Sequence, residues 1–171
     1  MNSAFADIRQ HSIVEPVSLT SGVVFALPHS GRDYGVSFLN QSILDQLSIR
    51  SSEDAFLDQL IDGIEKYGAP KIIANAPRAF IDLNRSTDEL DPALISGIKN
   101  NIRNPRISSG LGVIPRVVSH GKEIYRGKLS FEQAQSRIKY YWKPYHTDLS
   151  NLLQRSPVSY THLTLPTNRE V

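Results

Sequence analysis

"VVFALPHSGRDYG", residues 23–35, places a strand and its end. Residues 23–27 form an apolar run without helical spacing, which predicts a strand buried on both faces. Pro28 has no N–H to give a ladder, so pairing stops there, and Ser30-Gly31 permits a sharp turn. His29 is then held where a rigid strand opens into a loop, the place where ligands gather in α/β folds. A hydrogen-bonded turn histidine is the plainer account of the same residue.

The neighbouring segments extend this pattern. In "NQSILDQLSIRSSEDAFLDQLIDGIEKYGAP" (40–70), Phe56, Leu57, Leu60, Ile61 and Ile64 recur at helical spacing. Ser51 or Ser52 would cap that helix, Glu53 and Asp54 would favour its positive end, and Gly68-Ala69-Pro70 would stop it. "KIIANA" (71–76) and "RAFIDL" (78–83) read as strands. Strand, helix and strand in that order predict a parallel pair across a right-handed crossover. Residues 84–110 read mainly as loop, with a short helix near 92–99. "GLGVIPRVVSHGKEIYRG" (110–127) reads as a strand broken at Pro115, then a hairpin at His120-Gly121. Ser130 and Gln133 form a capping box opening the helix "FEQAQSRIKYYW", which Pro144 would kink or break before "YHTDLSNLLQ".

The chain's 171 residues suffice for one domain with its own core, and 40% hydrophobic against 21% charged residues is ordinary for a globular protein. Nineteen basic and 17 acidic residues are spread without long runs, which gives no electrostatic case for nucleic acid. The chain has no cysteine, so disulfides and thiolate metal sites are excluded. The N-terminus carries charges without an apolar core region, and no stretch approaches the length of a membrane span. A cytoplasmic protein of bacterial type is the expectation.

Four groups could carry chemistry: His29; the Glu53-Asp54 pair; Asp82, Asn84 and Arg85 of "FIDLNR"; and Arg137, Tyr145 and His146 around "YYWKPYH". On an extended strand Asp82 and Asn84 would face the same way, and Arg85 offers a fork of donors suited to a carboxylate. Ordinary capping, a structural Asp–Arg pair and a tyrosine-rich core face are the plainer accounts of the last three groups. No phosphate-binding glycine loop, zincin helix or nucleophile elbow is present.

Six elements in order, "PHSG", "SSEDAFLDQL", "RAFIDLNR", "GLGVIPRVV", "GKEIYRGKL" and "RIKYYWKPYH", resemble the N-formylglutamate amidohydrolase (deformylase) family across nearly all of residues 14–155. The resemblance implies an α/β fold related to the zinc carboxypeptidases: a mixed, largely parallel sheet flanked by helices, with metal at the strand ends. It implies zinc or another divalent metal held by His29 and Asp54, with Glu53 a rival by adjacency. It also implies a carboxylate-binding pair in Asn84 and Arg85, with Arg78, Asp82 and His146 on the substrate side. The implied substrate is a small acidic N-acyl amino acid, cleaved to formate and glutamate in histidine breakdown.

The family's third ligand, a histidine in a "D-x-H-S"-like strand end, has no counterpart in residues 1–157, and neither does a glutamate base. Residues 158–171, "VSYTHLTLPTNREV", resemble a translated transposase-end adaptor. The expected organisation is therefore an extension (1–13), the N-terminal part of one amidohydrolase domain (14–156), and a foreign tail (157–171) that includes His162. A binding protein, or an inactive fragment without a complete metal site, is the alternative.

Overall fold

The strand Lys71–Ala74 is the centre around which the sheet is built, with Ile72 fully buried. A computed structural model describes residues 5–98 and 104–156. Its sheet has the order β1-β3-β2, with β1 His11–Val14, β2 Phe25–Leu27 and β3 Lys71–Ala74. β2 runs parallel to β3, with Ala26 opposite Ile72, as the strand–helix–strand order predicts. β1 runs antiparallel, with Ile13 opposite Ile72. The sheet is thus mixed, and it carries one pairing of each kind.

Among the described residues six α-helices accompany it: α1 Val36–Leu39, α2 Gln46–Ile49, α3 Leu57–Leu60, α4 Pro105–Ser108, α5 Phe131–Arg137 and α6 Lys143–Arg155. The Ser130–Gln133 capping box opens α5 as expected. Pro144 does not break the helix that follows. A π-turn, Ile138–Trp142, joins α5 to α6, and Pro144 falls in the first turn of α6, where its missing N–H costs least. No helix among the described residues is long and apolar enough to cross a membrane.

Five expectations from local pattern fail, each because packing overrides it. β2 starts only at Phe25 and lies at a sheet edge, so Val23 is exposed rather than buried on both faces. The helix expected over residues 51–67 is fragmented. The Asp54 N–H donates to the His29 carbonyl at 3.1 Å, and Phe56 takes a left-handed φ of 62°. Phe56 and Leu60, the intended apolar stripe, are 57% and 81% exposed, so no surface rewards a continuous helix there. "RAFIDL" is a buried turn segment: Phe80 and Ile81 N–H groups return to the Pro77 carbonyl, and Asp82 N–H reaches Val113. Residues 92–97 form turns on either side of an isolated Ile95–Leu129 bridge, Lys99 lying outside the described residues, and the expected hairpin shrinks to one Val117–Glu123 bridge around a 3-10 turn.

Residues set apart as an N-terminal extension are packed. Phe5 is 1% exposed and meets the Phe80 ring edge-on at 4.9 Å, and Tyr141 donates its hydroxyl proton to the Phe5 carbonyl at 2.6 Å. The tail of residues 157–171, with His162, lies outside the described residues.

Candidate active site

The turn after β2 is forced by backbone proximity. A Cβ on Gly31 would sit 2.7 Å from the Asn75 carbonyl oxygen and closer still to that of Ala76, so only glycine lets "PHSG" fold back across the end of β3. His29 is thereby presented beside two carboxylates from different parts of the chain. Its Nε2 lies 2.8 Å from Asp82 Oδ1, and its Nδ1 lies 3.4 Å from Asp54 Oδ2.

Asp82 is the electrostatic anchor. Burial opposes its ionisation, but the His29 hydrogen bond and charge, the Arg78 guanidinium and the Asn84 N–H outweigh burial and hold its carboxyl below the usual range. An ionised carboxylate only accepts, so His29 donates from Nε2. In neutral His29, Nδ1 is then a lone pair facing Asp54 Oδ2. Two electron-rich atoms at that separation suit a proton or a cation between them. The distance matches the edge of about 3.4 Å spanned by two zinc–ligand bonds of about 2.1 Å at a tetrahedral angle. Histidines that ligate metals commonly donate their other N–H to a carboxylate in this manner. Among the described residues, however, no group of three or more His, Cys, Asp and Glu side chains gathers in metal-binding geometry.

The structure separates the adjacent acids. Asp54 keeps a half-exposed side chain beside His29, whereas Glu53 turns inward, its side chain 3% exposed and 3.2 Å from Arg50. Burial first, then Glu53, pushes the Tyr34 phenol well above its ordinary range, so that hydroxyl stays a donor.

Asp82 and Asn84 do not share a strand face. Asp82 is buried, Asn84 is exposed, and it is the Asn84 backbone N–H that donates to Asp82 Oδ1 at 2.9 Å. Arg78 donates to Asp82 Oδ2 at 3.1 Å, and Arg85 Nε stands 3.8 Å from the same oxygen, buried and without a hydrogen-bond partner. His146 reaches none of these side chains through a hydrogen bond; it donates from Nε2 to the Leu83 carbonyl at 2.8 Å.

The two carboxylates beside His29, Asp54 and Asp82, line a cleft of about 480 Å³ together with Arg78 on one side, with Val117, Ser119 and His120 on the other. The second wall was not expected from sequence. Its signal was the non-glycine His120 in a turn, here at φ 62°. Ser119 ties that wall across to the Ser51 carbonyl at 2.6 Å.

Comparison with known proteins places these features in context. The N-formylglutamate amidohydrolase family profile matches residues 21–165. The chain is similar to N-formylglutamate deformylase of Pseudomonas aeruginosa, 23% identical over 146 residues, covering 84% of this chain and 49% of that protein. It is also similar to the crystal structure of N-formylglutamate amidohydrolase from Ralstonia eutropha JMP134. That likeness has a TM-score of 0.78 and 29% identity, covering 86% of this chain and 52% of the other. The chain thus spans about half the length of these relatives.

Proposed function

Since the chain belongs to the N-formylglutamate amidohydrolase family, we propose that it supplies one part of the catalytic domain of a metal-dependent amidohydrolase. In this reading the sheet is extended in the whole domain toward the largely parallel, zinc-carboxypeptidase-like arrangement. The substrate is N-formyl-L-glutamate or a related small acidic N-acyl amino acid, cleaved to formate and L-glutamate in histidine breakdown.

The observation that carries the proposal is the His29 pair of contacts: Nε2 held by Asp82 at 2.8 Å and Nδ1 left facing Asp54 at 3.4 Å. His29 and Asp54 would hold zinc or another divalent ion. Such an ion supplies Lewis acidity toward an amide carbonyl and brings the ionisation of water toward neutral pH. Asp82 keeps the His29 proton on Nε2 and so keeps Nδ1 available. Arg78, on the cleft wall, and Arg85, whose buried Nε lies 3.8 Å from Asp82 without a hydrogen bond, are the cationic groups suited to a substrate carboxylate, with Asn84 alongside. Their part is orientation, which places the amide rather than transforming it.

The test is an assay of the whole gene product for glutamate released from N-formyl-L-glutamate, before and after chelation. Activity lost on chelation and restored by Zn2+ is the expected result, with Arg85→Ala chiefly raising KM. Turnover indifferent to chelation overturns the metal reading. The second reading is a binding protein that holds an acidic N-acyl amino acid without cleaving it. It is favoured by the convergence of only two cation-facing groups among the described residues, and binding without formate release would select it.

A further inference from the structure

Residues 80–85 belong to no strand, so their carbonyls must find donors outside a ladder. Three of those donors come from one continuous helix. Arg137 donates from Nη1 to the Phe80 carbonyl at 2.9 Å, His146 from Nε2 to Leu83 at 2.8 Å, and Trp142 from Nε1 to Arg85 at 2.8 Å. Trp142 and His146 are four residues apart and lie on one helix face. Their rings stack at 3.8 Å with 25° between planes, so each holds the other's orientation.

Arg137 and Trp142 are five residues apart, which in an α-helix of 3.6 residues per turn leaves them about 140° out of phase. The π-turn Ile138–Trp142 takes up one additional residue between them and restores the phase. Arg137 is otherwise costly where it lies. It is fully buried, has no carboxylate partner among the described residues, and sits 4.2 Å from the Phe80 ring centre. Its guanidinium donates to the Tyr125 hydroxyl at 2.7 Å and Gln41 Oε1 at 3.0 Å as well as to the Phe80 carbonyl, and the last of these ties it to the turn.

We infer that Arg137, Trp142 and His146 are positioning residues, and that the π-turn sets their donors in phase with the three carbonyls flanking Asp82. His146 then serves the site through the Leu83 backbone and not by touching substrate. The clamp on the turn stands on geometry alone; its effect on a metal at His29 rests on the function proposed above.

Amide hydrogen exchange on the chain itself tests the clamp, read at Asn84 and Arg85 with Ile72 of β3 as internal control. His146→Leu removes the donor and should speed exchange at Asn84 and Arg85 at least tenfold while leaving Ile72 unchanged. His146→Gln, whose amide can donate to Leu83, should restore slow exchange. Equal exchange in all three proteins overturns the inference, and so does failure of the glutamine variant to restore it, which would make His146 packing only. Should the leucine variant not fold, Trp142→Phe keeps an aromatic ring against His146 but lacks the indole N–H, and is read at Arg85 in the same way.

Zn2+ titration calorimetry on these proteins separates the two readings. A tenfold weaker affinity in His146→Leu, recovered in His146→Gln, carries the clamp through to His29. A parent chain that takes up no Zn2+ counts against the metal site, while the exchange rates still decide the clamp.

Discussion

His29 donates from Nε2 to Asp82 at 2.8 Å, and that hydrogen bond determines which nitrogen faces Asp54. Because Asp82 is buried and already receives Arg78 and the Asn84 N–H, the contact is built into the turn rather than borrowed from solvent.

The same contact has a pH signature. Asp82 is held below the ordinary aspartate value of about 3.9 in the folded chain. Its stabilisation is therefore complete above that value and is lost as pH falls through the lower folded value. Asp82→Asn should reduce Tm at neutral pH and flatten the fall in Tm below about pH 4. A variant whose acid limb superimposes on the parent's would remove Asp82 from this role.

Asp54 and Glu53 are adjacent in sequence but serve different surroundings. Asp54→Asn should weaken Zn2+ binding at least tenfold, as measured by calorimetry, with little change in Tm because the side chain is half exposed. Glu53→Gln should leave Zn2+ affinity unchanged and lower Tm, since it disturbs the buried contact with Arg50. The reverse pattern would exchange their assignments.

Gly31 is expected to tolerate no side chain. Gly31→Ala meets the carbonyls of Asn75 and Ala76, and overpacking of this kind costs about 1–3 kcal/mol in urea unfolding. Wild-type stability in this variant would show that the turn is free to move, and with it His29.

Phe5 belongs to the core by packing, although it lies far from the site in sequence. Phe5→Ala should cost about 3 kcal/mol or more, because the ring is 1% exposed and abuts both Phe80 and Arg137. A loss below about 1 kcal/mol would return residues 5–13 to the status of an extension.

Much of this was legible in the primary structure. The end of β2 at Pro28, the parallel β2–β3 pair and the Ser130–Gln133 box each depend on a few adjacent residues whose steric or capping preference acts locally. The prominence of His29, Asp54 and the "DLNR" segment was also visible, since these residue types stand out at element ends.

The folded chain alone settled the partnerships. An apolar run such as "AFIDL" specifies burial, but it does not specify whether its backbone is satisfied by a strand or by the side chains of a helix. Here Arg137, Trp142 and His146 satisfy it, and Asp82 turns in toward His29 while Asn84 turns out. The helical spacing over residues 51–67 likewise needed a surface to bury against and found none at Phe56 and Leu60. Composition and periodicity thus established the ends of elements, where local sterics act. The contacts that make a site depend on donors and acceptors from residues 29, 54, 82 and 146, and only the folded chain brings those together.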